Sequence, residues 1–232
     1  MARRQRSRWL WRSLAALLLI ALVAAAAGWW HLRHWTPPVA EYPLQGALVG
    51  ESDGRLDFRS LGAVGAQFVY LEASAGDEAR DPSFARNYAH AKRIGIPVGA
   101  VHTFDPCIPA EQQAANFVTV VPRDGDLLPP AIALERTAED CDSVASEAGV
   151  ESELMTFLNQ IESHAGKPAI LKVSERFEDH YHLANRLERS LWLEGDRVEP
   201  DYAGRPFALW TANARLISAA SEKPLHWVVA QP

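Results

Sequence analysis

Carboxylates are missing from the first forty positions of the sequence. Arg3, Arg4, Arg6, Arg8 and Arg12 precede an apolar run from Ser13 to Trp30, and the first acidic residue is Glu41. A stretch so one-sided in charge is a targeting or anchoring segment, not part of a globular core. The run approaches the ~20 residues that span a bilayer. It ends among Trp29, Trp30 and Trp35, residues that favour the membrane interface. Length and flanks point to a retained single-pass anchor over residues 13–32 behind a basic cytoplasmic segment, residues 1–12, with the rest of the chain on the far side of the membrane. Ala24, Ala25 and Ala26 also offer a small-residue cleavage site, so a removed signal peptide is the alternative.

Basic residues are scarce beyond that segment. Without the six arginines of residues 1–36, the 23 Lys+Arg become 17 against 29 Asp+Glu, a net charge of −12. No basic cluster follows Arg33, which excludes nucleic acid as a partner, because phosphate recognition needs one. No glycine-rich phosphate loop follows an early strand, which argues against a nucleotide site. Cysteine is limited to Cys107 and Cys141. Both lie in the exported part, where thiols are commonly oxidised, so a disulfide is the natural reading and two buried thiols the alternative.

What is present is an ordinary globular composition, 48% hydrophobic and 22% charged, enough for one domain over residues 44–232. Residues 33–43, with three prolines in "TPPVAEYP", read as an extended linker. Apolar runs then alternate with helical periodicity. Strands are expected at 66–74, 97–104, 130–135, 168–174, 206–212 and 225–231. Helices are expected at Asp81–Ile94, across "AEQQAANFVTVV", and at about 149–164. This alternation implies a parallel α/β sheet, open or closed into a barrel. Ser74, His102, Glu135 and Ser174 fall at strand C-terminal ends, where barrel proteins place their chemistry.

Several blocks carry a resemblance to a known family. "FVYLEASAG" (68–76) stands against F-V-Y-I-K-A-T-E-G. "DPSFARNYAHAKRIGIPVGAVHTF" (81–104) matches D-x-x-F-x-x-N-x-x-x-A-x-x-x-G-x-x-x-G-A-Y-H-F. "EQQAANFVTVVPRDGDLLPPAIALE" (111–135) matches E-Q-A-x-N-F and P-P-x-x-D-x-E. From Gly46 to about Gln231 the chain resembles glycoside hydrolase family 25, lysozymes that cut peptidoglycan, and in particular a proteobacterial subgroup with a paired cysteine after the third strand and after the catalytic strand. The resemblance implies an irregular TIM-like β/α barrel behind one transmembrane helix, no cofactor, and peptidoglycan glycan strands as partner. It places the body in the periplasm, held at the inner membrane by the N-terminal helix.

The same motifs expose departures. Leu48 takes the place of the aspartate in G-I-D-V-S, Ala75 that of the glutamate in T-E-G, and Ala133 that of the aspartate in D-x-E. Trp227 and Gln231 match the W-x-x-W-Q block, but the later D-x-N has no counterpart, so the barrel is expected to be incomplete at its C-terminal end. Glu135 alone remains of five acidic positions, the general acid by resemblance. His102, Trp210 and Glu72 are candidates for substrate binding, though core packing explains a buried histidine or tryptophan as well. Glu51 and Asp53 are further places to seek a second carboxylate. His180 and His182 in "EDHYHLAN" lack clustered ligands at metal spacing and read as a solvated loop. The expectation is a muramidase-like protein acting on or binding peptidoglycan with impaired hydrolysis. The alternatives are a non-catalytic envelope-binding or scaffolding module, or a truncated gene product.

Overall fold

The computed structural model describes residues 2–141 and 146–232, which form two compact units, Met1–Trp35 and Thr36–Pro232. The first is one helix, α1 (Ala2–Arg33), built from leucine and alanine with no interrupting proline. Its segment Trp11–Arg33 is long and apolar enough to cross a membrane.

The second unit runs through β1 (Gln45–Val49), a 3-10 turn (Glu51–Asp53), α2 (Phe58–Ala63), β2 (Phe68–Ala75), β3 (Ala79–Arg80), α3 (Phe84–Arg93), β4 (Val98–Thr103) and α4 (Ala110–Val120). It continues through β5 (Ala131–Leu134), a second 3-10 turn (Ala138–Asp140), α5 (Glu147–Ala165), β6 (Ile170–Val173), α6 (Glu175–Tyr181), β7 (Ser190–Glu194), β8 (Leu209–Leu216) and β9 (Leu225–Ala230). The strands follow the order β1-β9-β8-β7-β6-β5-β4-β2, and β1 pairs with β2 to close the ring. All ring pairings are parallel except those of β9, which lies antiparallel to both β8 and β1. The expected gap at the C-terminal end is therefore absent among the described residues. β9 fills it, because a strand running backwards satisfies the ladders of both neighbours without a crossover helix.

Alternation decides what fills the ring. Phe68, Tyr70, Val101, Ala131, Ala133, Ile170, Trp192, Leu209 and Val228 form its interior cluster, with Leu48 from β1. Large and small residues face one another across it. Tyr70 packs on Trp192 with ring centroids 5.1 Å apart, and a side chain at Gly99 would overlap the Tyr70 ring. Trp192 Nε1 donates to Thr211 Oγ1 at 2.8 Å, so its buried polar atom is satisfied. Intervening residues face outward onto the helices: Phe117 of α4 and Phe157 of α5, both fully buried, cover that side.

Residues 36–43 do not run free as a linker. Gln45 Nε2 donates to the carbonyls of Pro37 and Tyr42, each at 2.9 Å, and Gln67 Nε2 donates to Pro43 O at 2.7 Å. Tyr42 packs edge-on against Trp210 at 5.5 Å and donates to Glu199 Oε2 at 3.0 Å. Two glutamine amides thus satisfy carbonyls that a proline-rich segment cannot pair within itself, and the segment is fixed at the N-terminal end of β1.

Candidate active site

The C-terminal ends of the parallel strands form the barrel mouth. On β5, Ala131 and Ala133 face inward, which directs Glu135, just beyond the strand, to the same side. On β2, alternation carries Phe68, Tyr70 and Glu72 inward, and a bulge then separates Glu72 from Ser74. Glu72 is in register with inward-facing Val101 and turns to the mouth, whereas Ser74 is in register with His102 and turns outward.

The charged group that organises the mouth is Lys172. It shares β6 with inward Ile170, and its side chain is only 3% exposed. Its ammonium donates to Glu135 Oε1 at 2.8 Å and to Glu194 at the end of β7. Burial alone would lower the lysine pKa, but the carboxylates of Glu194 and Glu135 outweigh it and hold the group above its ordinary value. Lys172 is therefore a cation, unsuited to amine catalysis.

Across the mouth, the turn after β1 and the segment between β3 and α3 supply carboxylates fixed by backbone. Gly50 N donates to Asp53 Oδ2 at 2.8 Å, Glu51 N to Asp81 Oδ2 at 2.7 Å, and Ser83 N to Asp81 Oδ1 at 2.6 Å. A Cβ at position 50 would displace the Glu72 carboxylate, so glycine there leaves that side chain its place. Burial raises the Glu72 carboxyl above the usual glutamate range, the carboxylates of Asp53, Asp81 and Glu135 raise it further, and Lys172 opposes them. Asp53 is also raised, chiefly by burial. His226 on β9, in register with Leu48, is lowered by burial and by Lys172. An open cleft of about 280 Å³ beside Glu72 reaches Glu51, Arg80, Asp81 and Thr103.

The structure thus brings Glu135 and Glu72 to one mouth, with Asp53 and Glu51 at its rim, and leaves His102 and Trp210 elsewhere. His102 is fully buried on the outer face of β4, at 2.8 Å from Ser74 Oγ through Nδ1 and 3.4 Å from Gln113 Oε1 through Nε2, with its ring against Phe157. Trp210, 3% exposed and on the opposite face from Leu209, packs under Tyr42 and has no face open to a sugar. His180 belongs to α6 instead of a solvated loop. That helix is capped by Ser174 and buries Phe177 and Tyr181 one turn apart. Among the described residues no cluster of His, Cys, Asp or Glu could hold a metal ion. A disulfide joins Cys107, in the loop after β4, to Cys141, after the second 3-10 turn.

Lys172, Glu194, His226 and Asp81 do not stand out in the sequence. One signal pointed to the first: a lysine within the apolar run "PAILKVS", on the parity that carries Ile170 into the interior.

Comparisons with known proteins agree with this geometry. A family 25 glycosyl hydrolase from Bacillus anthracis superposes with a TM-score of 0.76 at 26% identity, covering 85% of this chain and 92% of that one. The bacterial lysozyme from Streptomyces coelicolor shares the fold, with a TM-score of 0.70 at 18% identity over 82% of this chain and 92% of that one. The protein YegX of Escherichia coli K12 is 24% identical over 183 residues, 76% of this chain, and the match spans 65% of that relative's length. The model of the family described as glycosyl hydrolases family 25 matches residues 49–212, more than half of the chain, and the protein belongs to that family.

Proposed function

We propose that the barrel is a periplasmic cell-envelope module, held at the inner membrane by its N-terminal helix, that binds peptidoglycan glycan at its mouth and hydrolyses it poorly or not at all. The observation that carries this reading is the state of Glu135. Glycoside hydrolysis needs two carboxyl groups about the scissile bond, one of them holding a proton for the leaving oxygen. Glu135 accepts a hydrogen bond from a lysine ammonium, and its inward neighbour on the strand is Ala133. Leu48 occupies the mouth position of β1. Groups of this kind each contribute orders of magnitude to rate. Binding is less demanding, and a mouth ringed by accessible carboxylate oxygens supports contacts to sugar hydroxyls.

The test is zymography and reducing-sugar release from purified peptidoglycan with the full chain in detergent. The expected result is no release above background and no change in Glu135→Gln. Robust release abolished by Glu135→Gln would overturn the reading. One observation favours a second reading, weak hydrolysis with Glu72 as the proton donor: that carboxyl is raised and stands at the open cleft. Residual turnover lost in Glu72→Gln but kept in Glu135→Gln would select it.

A further inference from the structure

We propose that Lys172 is a positioning residue that keeps Glu135 from serving as a proton donor, so that its ammonium silences the mouth in addition to the missing acids at positions 48 and 133. The inference rests on the impaired-hydrolysis reading and deepens it. Lys172 is enclosed at 3% exposure, while Glu135 and Glu194 on either side are 49% and 38% exposed. The cation therefore lies beneath two accessible carboxylates and holds them side by side, with its hydrogen bonds spent on β5 and β7. A substrate oxygen reaching Glu135 meets a carboxylate already engaged by a fixed positive charge.

The register adds a second consequence. Ala133 is the direct partner of Lys172 on the adjacent parallel strand, and both face inward. Adjacent strands lie about 4.8 Å apart. An aspartate returned to position 133 would stand beside the ammonium and become another partner for it, not a free catalytic group. Restoring the motif's acids without removing the lysine should therefore fail.

The groups facing Glu135 are Lys172 from β6, Glu194 from β7, Glu72 from β2 and His226 from β9. The experiment is peptidoglycan turnover by the full chain in detergent, with Glu135 dependence read by adding Glu135→Gln to each background. Lys172→Met removes the ammonium that engages Glu135 while keeping an unbranched side chain of similar length. Both glutamates are accessible to water, which favours folding of that variant. Lys172→Met/Glu194→Gln repeats the measurement without two facing carboxylates. In Leu48→Asp/Ala75→Glu/Ala133→Asp, peptidoglycan turnover should stay at background and rise at least about tenfold when Lys172→Met is added. No rise on adding either lysine variant, or turnover in Leu48→Asp/Ala75→Glu/Ala133→Asp with Lys172 intact, overturns the role of Lys172. Robust Glu135-dependent hydrolysis by the unaltered chain overturns the functional reading itself, so the two failures are told apart by which protein reports them.

Discussion

His102 holds the place of a motif histidine at the end of β4, yet its ring stacks on Phe157 outside the barrel. Gln113 Oε1 can only accept, which makes Nε2 the protonated nitrogen and leaves Nδ1 to accept from the Ser74 hydroxyl. Burial is the main reason its pKa falls from 6.5 to about 4. Between those values the unfolded chain holds a proton that the folded chain does not. Stability from this group is therefore complete above about pH 6.5 and declines as pH falls toward 4, by up to about 3 kcal/mol. In His102→Gln, urea midpoints should be lower at pH 7 by the equivalent of about 2 kcal/mol. They should also fall less steeply than the parent's between pH 6.5 and 4; parallel slopes would show that His102 does not titrate in this window. Strand alternation carries Glu135 and Glu72 alike toward the mouth, whereas Ser74 turns outward for a reason its spacing hides. The bulge after Glu72 reverses the parity of Ser74, and bulges leave no fixed mark in sequence.

Among the elements, the disulfide fastens the segment after β4 to the segment after β5 across α4, a sequence separation of 34. A loop of that length gives about 3 to 4 kcal/mol in the chain-entropy model. Cys107→Ala/Cys141→Ala should lose stability of that order in chemical denaturation, and mass analysis of the unreduced parent should find no free thiol. The long elements α3, α4, α5 and β2 were legible, the helices because their apolar spacing extends over at least two turns and β2 because its apolar run spans most of eight residues, against three in β7. β7 was not. "SLWLE" buries Leu191, Trp192 and Leu193 on both faces, so it has no alternation, and Glu188 and Arg189 precede it. α6 was hidden by its brevity and by two histidines that drew attention to metal chemistry, although Ser174 caps it and Phe177 and Tyr181 share a face. The proline-rich segment before β1 was misread because its partners, Gln45, Gln67 and Trp210, are distant or polar residues whose role composition does not disclose.

For the whole molecule, the parallel sheet and its motifs made the barrel legible, while closure depended on β9 running antiparallel, a direction that an apolar run does not encode. The N-terminal helix bears on where the molecule resides. The expectation of a retained anchor predicts recovery in the membrane fraction, with protease access to the barrel only from the periplasmic side. A soluble form beginning near Ala27 or Gly28 would identify a cleaved signal instead. Attachment through this end, if the helix is retained as an anchor, would have a mechanical consequence. Gln45 ties Pro37 and Tyr42 to the start of β1, and β1 is hydrogen-bonded along its length to β2 on one side and β9 on the other. Tension applied through the N-terminus is therefore received at the end opposite the mouth and shared by two ladders loaded along the strand. Many hydrogen bonds then resist together, whereas an edge strand would unzip one pair at a time.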